Sequence, residues 1–148
     1  MRVLTPILVA LTASVLLVAN VALGQQKVQE QLDKVSFPTS CNRKVQPEFD
    51  RAVAMLHSFW FQQGEKAFRE ILERDPSCAI ANWGIAMNAL GNPFAWPPSA
   101  KGLADGLVAI ERAATPSAQT PRERDYIAAL DIMYRDNDKV DHRTRAEA

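Results

Sequence analysis

Between Phe49 and Leu90 the chain carries three apolar patterns at helical spacing, interrupted at Asp75-Pro76. Phe49, Ala52, Val53, Leu56, Phe59 and Trp60 make the first stripe, and Ala67, Phe68, Ile71 and Leu72 the second; a third begins with Ala79-Ile80-Ala81. None of these segments is long enough to bury its apolar face alone. Short amphipathic helices in close succession must cover one another, which is the pattern of a stacked helical repeat. Such stacks usually present binding surfaces rather than reaction centres. The pattern therefore points to an interaction scaffold without naming its partner.

The N-terminus bears on the compartment. Arg2 precedes a mostly apolar stretch, Val3 to Leu23, that ends in Ala22-Leu23-Gly24 and gives way to Gln25-Gln26-Lys27. A basic residue, an apolar run and small residues before a polar start are the order of a secretory signal, with cleavage expected after Gly24. An uncleaved membrane anchor is the alternative, since the run is just long enough to span a bilayer. Cleavage is the preferred reading because the run is interrupted by Thr5, Pro6, Thr12, Ser14 and Asn20. The expected location is periplasmic or secreted. Residues 25–148 then suffice for one domain. The 17 basic and 17 acidic residues balance, and no basic cluster stands out, which argues against a nucleic-acid partner. A membrane partner follows only if the N-terminal segment stays uncleaved.

Along the remaining chain, residues 25–44 read as a leader segment, with Pro38 breaking any helix. Helical repeats fill residues 45–148. Pro47 suits the first turn of the first helix, where Glu48 and Asp50 meet the positive end of the helix dipole. That helix extends towards Phe61, with Gly64 read as the turn into a second helix over Glu65 to Arg74. Ser77 is the expected cap of a third helix, whose Ala79, Ala81, Gly84, Ala86 and Ala89 accompany Trp83, Ile85 and Met87. A helix apolar all round is an inner helix. Gly91 closes it. Asn92-Pro93-Phe94-Ala95-Trp96-Pro97-Pro98 is a loop, and a fourth helix runs from about Ser99 to Ala114. Thr120, Pro121 and Glu123 form a capping box that starts a fifth helix. Arg143 to Ala148 look like the opening of another. No strand-like alternation appears, so the expected fold is all-α.

Ala52 and Gly64, at helix-crossing spacing, Phe68 beside them and Pro76 at the end of the second helix make residues 45–78 resemble a tetratricopeptide repeat. Arg51 and Ile71 depart from that pattern, where leucine and alanine are usual. The resemblance implies antiparallel helix pairs stacked in a right-handed solenoid, with a degenerate second repeat lengthened by the proline loop. Several segments together are similar to a group of secreted bacterial tetratricopeptide-repeat proteins of unassigned activity. They are Phe37-Pro38-Thr39-Ser40-Cys41, Leu56-His57-Ser58-Phe59-Trp60-Phe61, Asp75-Pro76-Ser77-Cys78, Trp83-Gly84-Ile85-Ala86-Met87 and Arg122-Glu123-Arg124-Asp125-Tyr126-Ile127. Members of that group are generally several times longer, which implies that this chain is an N-terminal piece. The resemblance carries no catalytic residues.

Sequence motifs for chemistry are nearly lacking. No G-x-S-x-G elbow, P-loop, G-x-G-x-x-G, H-E-x-x-H or EF-hand loop occurs. His57, beside Phe59-Trp60-Phe61, is the one residue that suggests a proton shuttle or ligand; a half-buried histidine bonded to a carbonyl or to Ser58 is the preferred reading. His142 is expected to be exposed. Cys41, Cys78, His57 and His142 match no close-paired zinc spacing. No metal, cofactor or catalytic residue is therefore assigned, and the chain is not expected to be an enzyme.

Phe59, Trp60, Phe61, Trp83, Phe94 and Trp96 are aromatics of the kind that anchor interfaces. Most are expected in the core, with Trp96 on its proline loop the best candidate for partner contact, followed by Phe94, His57 and Trp60. Arg122-Glu123-Arg124-Asp125 reads as a solvated helix face. Cys41 and Cys78, the only cysteines, are expected to form a disulfide: the count is even, the signal leads to an oxidising space, and the start of a helix hairpin lies near its end. The functional expectation is an extracytoplasmic scaffold for a protein or peptide. The alternative is the non-catalytic N-terminal part of a longer enzyme or regulator whose active site lies beyond residue 148.

Overall fold

The computed structural model describes residues 32–115 and 119–148. The segment 1–24 read from the sequence as a signal, and the expected leader up to residue 31, lie outside the described residues. A 3-10 turn, Arg43–Val45, leads into α1 (Gln46–His57), α2 (Phe61–Arg74), α3 (Ala79–Leu90), α4 (Ala100–Ala113), α5 (Pro121–Tyr134) and a short α6 (His142–Ala146). Among the described residues there is no strand, and the fold is all-α. None of their helices is long and apolar enough to cross a membrane.

Local chemistry explains most boundaries. Pro47 and Glu48 occupy the first turn of α1, and Glu48 is bridged to Arg74 at 2.7 Å. Gly91 ends α3 at φ 74°, a conformation that costs glycine little. The capping box of α5 is complete: Thr120 Oγ1 accepts from the Glu123 N–H, and Glu123 accepts from the Thr120 N–H.

Two boundaries differ from expectation. The chain reverses at Ser58–Trp60 rather than at Gly64, and α2 begins at Phe61. Gly64 lies inside α2 because of a close contact: a Cβ there would stand 2.6 Å from Asn88 Oδ1. A packing glycine had the look of a turn glycine. Ser77 does not cap α3 either. Its hydroxyl donates to Asp75 Oδ1 at 2.6 Å, which folds the α2–α3 connection on itself.

Close approach sets the order of the helices. A Cβ on Gly84 would lie 2.5 Å from the Phe68 ring. Gly64 with Asn88 and Phe68 with Gly84 pair in opposite chain directions, so α2 and α3 are antiparallel. On the other side, a Cβ on Gly102 would meet the Ala89 carbonyl at 2.4 Å, and one on Gly106 would meet Tyr134 at 2.2 Å. As a result α3 packs against α1, α2, α4 and α5, the inner position its apolar composition suggests.

The segment before α1, placed by its sequence in the leader, belongs to this core. Phe37 stacks within 5.6 Å of Phe49, 5.5 Å of Trp83 and 5.3 Å of Tyr126. Gln46 grips the extended backbone on both sides, accepting from the Thr39 N–H at 3.0 Å and donating to the Phe37 carbonyl at 2.8 Å. At its other end, Glu123 Oε1 accepts the Ser40 N–H at 2.8 Å while Oε2 accepts the Thr120 N–H at 2.7 Å. Arg122 lies over the Phe37 ring at 4.7 Å and donates to the Pro38 carbonyl. Of the charge cluster at the start of α5, Arg122, Arg124 and Asp125 are exposed as expected of a solvated face, but Glu123 is fully buried and, with Arg122, clasps the segment before α1.

Replacing Gly84 or Ala86 by leucine should destabilise the fold more than Trp96→Ala, by about 1–3 kcal/mol of overpacking. Denaturant unfolding checks this, and equal losses in all three would place the proline loop in the core. Burial raises the Glu123 pKa, but the N–H donors of Ser40 and Thr120 outweigh it and hold the carboxyl below its ordinary 4.5. Its contribution is thus present above that value and lost as pH falls through the lowered one. Gln at position 123 offers one acceptor where two N–H groups need one each, so Glu123→Gln should cost about 1–3 kcal/mol. The same change should flatten stability against pH in the acid limb, measured by urea melts.

Candidate functional site

The turn between α1 and α2 and the loop after α3 come together at one end of the helices. Leu56, His57, Phe59, Phe61, Met87, Leu90, Gly91, Pro93 and Trp96 line a cleft of about 210 Å³ between them. Its walls are aromatic and aliphatic, with the imidazole of His57 as the ionisable group. His57 is exposed at this cleft rather than half-buried as its sequence context suggests, because α1 ends at that residue.

Aromatic rings left open to solvent frame the cleft. Phe59 is 51% exposed, Phe94 87%, Trp96 42% and Trp60 38%. Of the six aromatics considered from the sequence, Trp83 alone is buried in the core. Phe94 does not line the cleft but stacks on Phe59 at 6.1 Å, and Phe59 meets Phe61 edge-on at 5.8 Å. Trp60 precedes α2 and is not part of the lining. Of the candidates named from the sequence, Trp96 and His57 thus line the cleft, Phe94 adjoins it and Trp60 stands outside it. Sequence reasoning placed Phe59 on a helix face and gave no role to Met87 or Leu90.

Phe59 holds the tightest backbone of the site. Its φ is 62°, in the left-handed region, and its N–H donates to the Leu56 carbonyl at 3.2 Å. The Trp60 N–H reaches back to Met55 at 3.0 Å, which closes the turn. No sequence signal marks this conformation, since glycine or asparagine is the usual occupant.

On the far side of the cleft wall, Trp96 is backed by α6. The His142 ring meets it edge-on with centroids 4.4 Å apart. His142 is half-buried, not exposed as expected for the tail, since Arg145 binds α6 to the end of α5 through the Met133 carbonyl. Burial lowers the His142 pKa below its ordinary 6.5, with Arg145 acting in the same direction and Asp141 against it.

The cysteines lie elsewhere, together at the open end of the α1–α2 hairpin, Cys41 before α1 and Cys78 after α2. Cys41 and Cys78 are joined with an Sγ–Sγ distance of 2.00 Å and a Cα–Cα distance of 4.8 Å. Among the described residues, Asp75 with these two sulfurs forms the one cluster of metal-ligand type, all within 4.8 Å. As a disulfide the pair offers no thiolate, and Asp75 is already engaged. The Ser77 hydroxyl and the Asn42 N–H hold its carboxyl below the ordinary range against its burial. Neither histidine belongs to this cluster.

Compared with protein-family models, curated proteins and solved structures, the chain matches none significantly. Function is therefore argued from the chemistry of the site itself.

The bridge spans a separation of 37 residues. In the chain-entropy model a loop of that length contributes about 4 kcal/mol. Thiol titration of denatured, non-reduced protein should find no free thiol. The double change Cys41→Ser, Cys78→Ser should lower stability by up to about 4 kcal/mol in chemical denaturation.

Proposed function

We propose that this chain is an extracytoplasmic helical scaffold whose aromatic cleft takes an apolar anchor side chain from a protein or peptide partner. Helix hairpins with small residues at their crossings support a tetratricopeptide-like stack. The secretory reading of the N-terminus and the disulfide support a periplasmic or secreted location. In this reading the chain performs recognition and no bond chemistry.

Phe59 carries the proposal. A left-handed backbone costs a β-carbon residue about 1–2 kcal/mol, and leaving a large ring half in water forgoes its burial. Folding alone favours glycine at such a position. A phenylalanine that is both strained and exposed, at the mouth of an apolar cleft, is explained by a contact the chain makes with something else. The neighbouring lining is of the same kind: Met87 offers an adaptable wall, and Trp96 and Phe61 offer ring faces.

Selection from a random peptide display library, run in parallel on the full chain and on Phe59→Gly, tests the proposal. The full chain should enrich peptides with one or two aromatic or large aliphatic anchors. Phe59→Gly should leave stability unchanged or raise it by about 1 kcal/mol while abolishing the enrichment. No enrichment by the full chain, or equal enrichment by both proteins, overturns the reading.

A further inference from the structure

We propose that His142 is a pH-sensitive latch that fixes the Trp96 wall of the aromatic cleft, an inference that rests on the cleft being a binding site. The loop carrying Trp96 makes local hydrogen bonds, Phe94 N–H to Asn92 Oδ1 at 2.9 Å and Ala95 N–H to Asn92 O at 3.0 Å. The indole is therefore placed by packing, and the His142 ring is part of what it packs on. Both ring nitrogens of His142 are buried without a hydrogen-bond partner in the protein. A neutral imidazole occupies such a position as a mainly apolar ring. An imidazolium adds a charge and makes both nitrogens donors, and neither finds an acceptor there.

The surrounding charges do not rescue the cation. Arg145, on the same helix, opposes it. Asp141 favours it, but that carboxylate is occupied by the Thr144 N–H at 3.1 Å and the Thr144 hydroxyl at 2.6 Å. Residues 92–98 contain no ionisable side chain. Arg145 and Asp141 are the charged groups that act on the ring, and α5 contributes the Met133 carbonyl that holds Arg145. His57, the chain's other histidine, lines the same cleft and is exposed.

The sign follows from the lowered pKa. The neutral, docked form is complete above the ordinary value of 6.5, and docking is lost as pH falls through the lower folded-state value. A charged His142 has to turn its nitrogens to water, which removes it from the Trp96 edge and leaves that wall of the cleft without backing. Mild acidification would in this way release whatever the cleft holds, by freeing a wall rather than by charging the ligand.

The three indole N–H resonances of the ¹⁵N-labelled full chain, with Trp96 assigned by Trp96→Phe, report the latch directly. Between about pH 8 and about pH 5 the Trp96 signal should move with a midpoint below the ordinary histidine value. It should stay flat in His142→Phe, which keeps a ring against Trp96, and titrate unchanged in His57→Gln. A flat wild-type signal, a midpoint above the ordinary value, or persistence of the transition in His142→Phe overturns the latch. Binding of 1-anilinonaphthalene-8-sulfonate, followed over the same range, separates the two readings. Affinity that falls with the Trp96 transition supports both, and affinity that ignores it overturns the latch. A Trp96 transition with no probe bound at any pH, together with failed peptide selection, keeps the latch and removes the binding site.

Discussion

Tyr134 reaches from the end of α5 past α4 to the backbone of α3. Its ring occupies the space that a Cβ on Gly106 would fill, and its hydroxyl donates to the Ala86 carbonyl at 2.5 Å. One side chain thereby sets the spacing of three helices. Burial, with Glu65 adding to it, raises the phenol pKa, so the donor keeps its proton at neutral pH. Because α3 is held there, it presents Gly84 to Phe68 and Asn88 to Gly64 on its other side. The end of α3 then meets the α1–α2 turn, and the cleft is the gap between them. Position of the site thus descends from glycines remote from it.

Much of this was legible in the residues. Apolar spacing located the helices, Gly91 and the Thr120–Glu123 box marked their ends, and the all-round apolar composition of Ala79–Leu90 identified the inner helix. What was not legible depends on partners distant in sequence. Glu123 reads as a surface charge until Ser40, 83 residues away, is brought to it. Gly64 reads as a turn until Asn88 is placed beside it. Phe59 fits an apolar stripe by spacing and departs from it by backbone angle, which no local pattern encodes.

The cleft shows the same division. Trp96 and His57 were candidates because aromatic and titratable side chains are conspicuous, whereas Met87 and Leu90 became relevant only when α3 ended opposite the turn. His142 seemed a solvated tail residue because its contact, Trp96, lies on a loop far upstream. Side chains on irregular segments owe their environment to tertiary structure, and these are the segments from which sites are commonly built.

The contact between Ser40 and Glu123 also imposes an order in time. A chain leaves the ribosome N-terminus first, at roughly 5–20 residues per second. The segment ahead of α1 finds its first acceptor early, since the Phe37 N–H donates to Asp50 of α1, but the Ser40 N–H meets Glu123 only after the start of α5 has emerged. The Phe37 ring likewise waits for Tyr126 and for the guanidinium of Arg122. The earliest part of the described chain to be made is thus held first by α1 and fastened a second time late, and that second fastening marks a molecule whose synthesis has reached the fifth helix.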